Sequence, residues 1–246
     1  MAERLDTLTG AIPALQLQPA IAEQLLSTPR TRESLFYTYA KRALDIVLAL
    51  ALLILLLPLL IIIAIAIRLD SPGPIIFIQR RVGKGGRIFD FYKFRSMYHQ
   101  ADTQVHQAFA QAYIAGHHQA QPEEKGTSAI FKPADDKRVT RVGRILRKTS
   151  IDELPQLINI LKGDMSLVGP RPSIDYELRA YAPWHYRRLD VLPGLTGWAQ
   201  IHGRSTLLFD SIVSLDIQYM KHRSLALDLW IILQTIPVVL SCRGAR

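Results

Sequence analysis

Asp152 and Glu153 stand side by side in Thr149-Ser150-Ile151-Asp152-Glu153-Leu154-Pro155-Gln156-Leu157. Arg138, Arg141, Arg144, Arg147 and Lys148 lie just upstream, and Arg171 follows in Val168-Gly169-Pro170-Arg171-Pro172. Carboxylates ligate hard cations, and a planar guanidinium pairs with two phosphate oxygens, so this mixture suits metal and phosphate chemistry. A structural account of the pair is equally available. Ser150 and Glu153 have the spacing of a capping box, and acidic residues suit the positive end of the helix implied by Leu154, Leu157, Ile158 and Leu161. Pro155 weighs against a regular helix from Ser150, because it has no N–H to return to Ile151. The expectation is an irregular helix start with exposed carboxylates, a suitable place for phosphate and metal.

The elements that must position these residues begin with an anchor. Ile46 to Ile67 is an uncharged, almost wholly aliphatic run of about 22 residues, roughly 33 Å as a straight helix, enough to cross a hydrocarbon core. Pro58 interrupts it, removes a helical bond to the Ile54 carbonyl and predicts a bend. Basic residues flank both ends: Arg30, Arg32, Lys41 and Arg42 before, and Arg68, Arg80, Arg81, Lys84 and Arg87 after. The positive-inside tendency therefore favours both flanks on the cytoplasmic side. A re-entrant helix that dips into one leaflet, turns at Pro58 and returns reconciles these facts; a spanning helix is the alternative.

Beyond the turn Asp70-Ser71-Pro72-Gly73-Pro74, two short strands around Ile75–Gln79 and Arg87–Phe94 read as a hairpin delivering Lys93 and Arg95. Residues 99–136 are rich in Ala, Gln and His and read as an insertion, with His117-His118 a surface pair rather than a metal site. Lys137 to Lys148 reads as a basic amphipathic helix suited to lipid headgroups. Helices are predicted over Tyr176–Arg188 and Phe209–His222, with a structured Pro/Gly loop at Leu192–Gln200 between them. The apolar stretch Ser224–Leu240 carries Asp228, Gln234 and Pro237, so it is expected in the core or at the membrane interface rather than across it.

Composition narrows the partners. Among 246 residues, 30 Lys and Arg oppose 21 Asp and Glu for a formal charge of +9, which suits an anionic membrane, a phosphorylated substrate or nucleic acid. No nucleic-acid recognition motif is present, so nucleic acid is not the expected partner. The single Cys242 excludes an intrachain disulfide and a cysteine-based metal site. No charged n-region with a cleavage site is present, so a secretory signal is not expected. The organisation read from the chain is an arm over 1–40, a membrane helix over 41–69 and a catalytic domain over 70–246. The fold class is α+β, mostly helical with a small β-hairpin.

The motifs in their order resemble the bacterial sugar transferases, the monotopic phosphoglycosyl transferases that act on polyprenyl phosphate. The resemblance runs from about Lys41 onward. It rests on Lys41-Arg42-x-x-Asp45, Ser71-Pro72-Gly73-Pro74, Gln79-Arg80-Arg81-Val82-Gly83, Lys93-Phe94-Arg95-Ser96-Met97 and Arg138-x-Thr140-x-x-Gly143. The most specific blocks are Ser150 to Leu157, Ser166 to Pro172, and Pro193-Gly194-x-Thr196-Gly197-x-Ala199-Gln200. The resemblance implies transfer of a sugar 1-phosphate from a nucleotide diphosphate sugar, usually a UDP-sugar, to polyprenyl phosphate at the bacterial inner membrane, on its cytoplasmic face. It implies Asp152 as nucleophile, Glu153 as its partner in binding Mg²⁺, and phosphate contacts from Lys93, Arg95, Arg147 and Arg171. Asp216 and Asp228 match further family carboxylates, with metal or substrate orientation as the expected roles. Membrane lipids are implied partners, and a homodimer is left open. Two departures stand out: Leu57 precedes Pro58 where members often carry Ser, and the 99–136 insertion is long. No additional sensor domain is expected. A membrane-anchored basic scaffold, or a relative without catalysis, is the rival reading, and the intact Asp152-Glu153 pair weighs against it.

Overall fold

The computed structural model describes residues 34–99, 110, 111, 113, 114, 136, 138–203 and 207–241. The arm before residue 34, most of the 99–136 insertion with His117-His118, and Cys242 lie outside the described residues.

Helix α1, Leu35–Asp70, is 36 residues long and includes Pro58. Among the described residues it is the one helix long and apolar enough to cross a membrane. It begins earlier than the aliphatic run suggested, because its first turns are held by polar contacts rather than by lipid. Arg42 donates to the Ile160 and Leu161 carbonyls, and the Leu167 N–H donates to Asp45. Ala49 is fully buried in the main core, and Ile63 and Ile67 are buried in another cluster nearer the other end. Between these two grips, Leu50, Ile54, Leu55, Leu57, Ile61 and Ile62 stand exposed.

The expected hairpin is present, with its first strand running past Gln79: β1, Ile76–Val82, pairs antiparallel with β2, Ile88–Phe94, in the register Ile76 to Phe94 and Val82 to Ile88. A 3₁₀ turn at Lys84–Gly86 joins them, with Gly85 at φ 66°, where a side chain would be strained. Two features escaped the sequence reading. A third strand, β4 at Ser173–Ile174, pairs antiparallel with β1, and β3, Ser166–Val168, pairs in parallel with β5, Gly194–Thr196. Strands of two or three residues show no alternation long enough to detect.

Helix α2, Arg141–Thr149, starts later than the basic pattern implied, because Thr140 caps it by accepting from the Gly143 N–H. The Val142 N–H donates to Asp70, which ties the end of α1 to the start of α2. At Gly143 an added Cβ would lie 2.0 Å from the Ser96 carbonyl oxygen, so this close approach admits no side chain. Helix α3 is Gln156–Lys162. The helix expected over Tyr176–Arg188 is broken into α4, Asp175–Leu178, and a 3₁₀ segment at Pro183–Asp190, since Pro183 cannot continue a helix from its preceding residue. Helix α5, Trp198–His202, follows β5, and α6, Phe209–His222, lies where expected. Helix α7, Leu225–Leu240, buries Asp228 and Ile231 and exposes Leu229, Leu233, Ile236 and Leu240, so it meets the core along one face only.

Candidate active site

The Asp152-Glu153 pair sits at a chain reversal. Ser150 ends α2 in the left-handed conformation, φ 57° and ψ 16°, and is the one residue other than glycine with positive φ among the described residues. Such a backbone costs about 1–2 kcal/mol for a residue with a Cβ, and this kind of strain gathers at functional sites. A single 3₁₀ turn, Ile151–Glu153, then presents the two carboxylates before Pro155 opens α3. The irregular start predicted from Pro155 is therefore present, but the carboxylates are not exposed as expected: Asp152 is buried and Glu153 half-buried, because the turn folds them against charged and apolar neighbours. The capping box is not present: the Ser150 carbonyl, rather than its side chain, accepts from the Glu153 N–H, and the Glu153 carboxylate turns to Arg171.

Arg171 grips Glu153 through both arms of its guanidinium, at 3.0 and 2.6 Å. Burial alone would raise the Glu153 carboxyl, but Arg171 outweighs it and brings the group down to about 2. Glu153 in turn raises Arg171 above its ordinary value. Asp152 has the opposite fate. It is 9% exposed. Burial first, and the neighbouring Glu153 charge second, push its carboxyl up to about 6 against the pull of Lys93, Arg171 and Arg147. Two adjacent carboxylates thus differ widely, one held as a fixed anion and the other near the middle of the physiological range. Environments that push paired acids apart mark distinct chemical roles.

Lys93 comes from β2 opposite Phe77, whose ring lies 5.1 Å below its Nζ. Burial, and then Arg81, lower its ammonium to about 8, while Asp152 and Glu153 oppose the change. Arg147, in the last turn of α2, is half-buried and acts on Asp152 by charge. Lys93, Arg147 and Arg171 therefore converge on the dyad from β2, α2 and the loop between β3 and β4.

Three expected site residues are engaged elsewhere. Arg95, expected on phosphate, is 3% exposed and donates to the carbonyls of Ile67, Ser71 and Pro72, closing the end of α1. Asp216, expected near metal or substrate, accepts from Arg188 at 2.7 Å in a buried ion pair. Arg188 also donates to the Arg171 backbone carbonyl, so Asp216 bears on the site at second hand. Asp228 accepts from Lys41, Tyr37 and Tyr219, which joins α1 to α6 and α7. The motifs do not specify these pairings, which are backbone carbonyls for Arg95 and side chains for Asp216 and Asp228.

The sequence reading also missed two residues. Arg81 is buried, lies 4.9 Å over the Phe91 ring and donates to the Pro172 carbonyl at 2.7 Å, fixing the segment that carries Arg171. Its place in β1, two residues from Gln79 whose Oε1 it also binds, was the available signal, since alternate strand residues share a face. Gln156 is 1% exposed just beyond the dyad, where its side chain helps to lower the Glu153 carboxyl.

Among the described residues no group of three or more His, Cys, Asp or Glu side chains is arranged to hold a metal ion. The donor set of Asp152 and Glu153 nevertheless fits Mg²⁺, which takes one or two protein carboxylates and completes its shell with water and phosphate oxygens.

The family model described as "Bacterial sugar transferase" matches residues 36–242. The chain is 46% identical to the galactosyl transferase CpsE of Streptococcus agalactiae, over 86% of this chain and 45% of that protein. It is 40% identical to the UDP-N-acetylgalactosamine-undecaprenyl-phosphate N-acetylgalactosaminephosphotransferase of Aeromonas hydrophila, over 98% of this chain and 52% of that one. It is 42% identical to the UDP-glucose:undecaprenyl-phosphate glucose-1-phosphate transferase of Caulobacter vibrioides, over 83% and 71%. The chain thus spans about half the length of the first two relatives. With the match covering α1, the hairpin, the dyad and α7 together, the chain belongs to the bacterial sugar transferase family.

Proposed function

We propose that this protein transfers a sugar 1-phosphate from a UDP-sugar to polyprenyl phosphate at the cytoplasmic face of a bacterial inner membrane, releasing UMP, through a phosphosugar carried on Asp152. The observation that carries the reading is the Asp152-Glu153 dyad, with one carboxyl raised to about 6 and its neighbour lowered to about 2, ringed by Lys93, Arg147 and Arg171. The names of the relatives, which specify undecaprenyl-phosphate sugar transfer, support it.

In the first displacement an Asp152 carboxylate oxygen attacks the phosphorus that bears the sugar. The bond from that phosphorus to the bridging oxygen breaks, and UMP leaves with that oxygen. In the second, an oxygen of polyprenyl phosphate attacks the same phosphorus, the bond to Asp152 breaks, and the lipid departs with the sugar phosphate as a diphosphate. Covalent catalysis of this kind divides one hard displacement into two. Arg171, Arg147 and Lys93 neutralise phosphate oxygens so that a negative carboxylate can approach them, and Glu153 with Asp152 would hold the cation. Mg²⁺ when bound supplies Lewis-acid neutralisation of the diphosphate and its leaving group.

The membrane arrangement follows the same reading. The headgroup of the acceptor lies at the lipid interface, and a re-entrant α1 bent at Pro58 would hold the dyad there. Support comes from the two grips on α1, near Ala49 and near Ile67, which both belong to the one folded domain.

The experiment is an assay of membranes containing the protein with polyprenyl phosphate, Mg²⁺ and a panel of UDP-sugars. Release of UMP with formation of a lipid diphosphate sugar from one member is expected. Failure to release UMP from any UDP-sugar, by protein that remains folded, would overturn the reading.

A further inference from the structure

The bidentate contact between Arg171 and Glu153 can be reached from solvent on its Arg171 side, where the side chain is 43% exposed, while Glu153 is half-buried at 22%. As a charge-assisted bidentate pair it gives way readily only to partners that offer each group an opposite charge. The partners are also complementary to opposite halves of one ligand. A carboxylate suits a divalent cation and a guanidinium fork suits two phosphate oxygens, and a nucleoside diphosphate with its bound cation offers both. Asp152 shares the 3₁₀ turn with Glu153 and sets a second carboxylate where the ligand must approach.

Building on the transferase reading above, we infer that the Glu153–Arg171 ion pair is a latch opened by exchange: Arg171 moves onto phosphate oxygens and Glu153 onto the cation in one concerted substitution. A cation arriving alone would have to take Glu153 and leave the Arg171 guanidinium unpaired beside it, like charge against like. A diphosphate arriving alone would have to take Arg171 and stand against two unpaired carboxylates, Asp152 and Glu153. The complex of the two replaces both halves of the pair together. The resting protein therefore discriminates against free cation and free nucleotide and admits the loaded nucleotide.

The test uses the full chain in lipid nanodiscs, with Mn²⁺ as the cation probe read by electron paramagnetic resonance and UDP as the nucleotide. After allowance for the Mn–UDP complex in solution, saturating UDP should tighten Mn²⁺ binding at least about tenfold, and Mn²⁺ should tighten UDP binding by the same factor. Arg171→Gln opens the latch permanently, so Mn²⁺ alone should bind about fivefold or more tighter than to the unaltered protein. Arg147→Gln removes the same charge from the same neighbourhood without touching the pair, and its gain should stay within about twofold. Equal gains in the two variants would mean that local charge alone acts, and no gain in Arg171→Gln would mean that Glu153 is not masked; either result overturns the latch. In both cases UDP binding by the unaltered protein would leave the transferase reading standing. Protein that binds neither UDP nor its Mn²⁺ complex would overturn that reading and the latch with it.

Discussion

Arg42 in the first part of α1 donates to the carbonyls of Ile160 and Leu161 at 2.6 and 2.8 Å, across more than a hundred residues of chain. These carbonyls belong to the last turn of α3, the helix that follows the dyad; the Ile160 carbonyl also accepts from the Gly163 N–H, and Arg42 supplies a charged donor to both. Arg42→Ala leaves them without a charged donor at a part-buried site. A loss of about 1.5–3 kcal/mol is expected, visible as a lower midpoint of thermal unfolding in nanodiscs. Arg42→Lys should recover only part of it, because an ammonium cannot serve two carbonyls as a fixed fork. An unchanged midpoint in Arg42→Ala would show that α1 does not support α3 through this contact.

The pH dependence of kcat/KM should be bell-shaped. Asp152 must be ionised to attack, so the rate should fall as pH drops below about 6, where burial and Glu153 place its carboxyl. Lys93 must be charged to neutralise phosphate, so the rate should fall again as pH rises past about 8, where burial and Arg81 place its ammonium. Lys93→Arg, which keeps its charge throughout, should remove the alkaline fall while lowering the maximum. An alkaline limb that survives in Lys93→Arg would assign that titration to another group.

Asp152→Asn should separate stability from activity. The folded carboxyl lies near 6, above its ordinary 3.8, so its contribution is favourable below the ordinary value and is lost as pH rises through about 6. At neutral pH the ionised group therefore opposes folding, and the amide relieves about 2–3 kcal/mol. Without Mg²⁺, the variant should unfold at a higher temperature than the unaltered protein near pH 7, with the difference vanishing towards pH 4. The same variant should lose exchange of labelled UMP into UDP-sugar in the absence of lipid, because an amide is a poor nucleophile for phosphorus. Exchange that persists in Asp152→Asn would place the phosphosugar elsewhere.

What could be read from residue types was the chemistry that stays local. Asp152, Glu153, Pro155 and the approach of Lys93 along β2 were visible because short-range rules govern them: proline cannot donate, and a hairpin fixes register. The partners of Arg95, Asp216 and Asp228 were not visible, because each lies far along the chain and a motif names residues without saying which of them pair. Arg95 meets the Ile67, Ser71 and Pro72 carbonyls, and Asp228 meets Tyr37 and Lys41. A charged residue in a motif can serve the fold as readily as the reaction, and only its hydrogen bonds distinguish the two. Arg81 is the converse: read only as a flanking cation and a member of the Gln79 to Gly83 motif, it fixes the backbone that carries Arg171.

The topology of α1 gives the last prediction. As a straight rod its 36 residues would reach roughly 54 Å, far more than a hydrocarbon core of about 30 Å. Near its start, Lys41, Arg42 and Asp45 bind Asp228, the Ile160 and Leu161 carbonyls and the Leu167 N–H. Near its end, Ile63 and Ile67 pack with Phe94 and Leu146, and Arg95 binds the Ser71 carbonyl. Elements that carry both sets of partners adjoin within one domain: α3 packs on β2, and β2 on the dyad turn. A spanning helix would put these two sets on opposite sides of the bilayer and pull the domain apart. Dipping into one leaflet at the exposed stretch around Leu55 and Leu57 leaves both sets intact. Cysteines placed singly at Ser34 and Arg87, with Cys242 replaced, should therefore both resist a membrane-impermeant thiol reagent on intact cells and both react after lysis. Labelling of only one of the two in intact cells would establish a span and exclude the re-entrant arrangement.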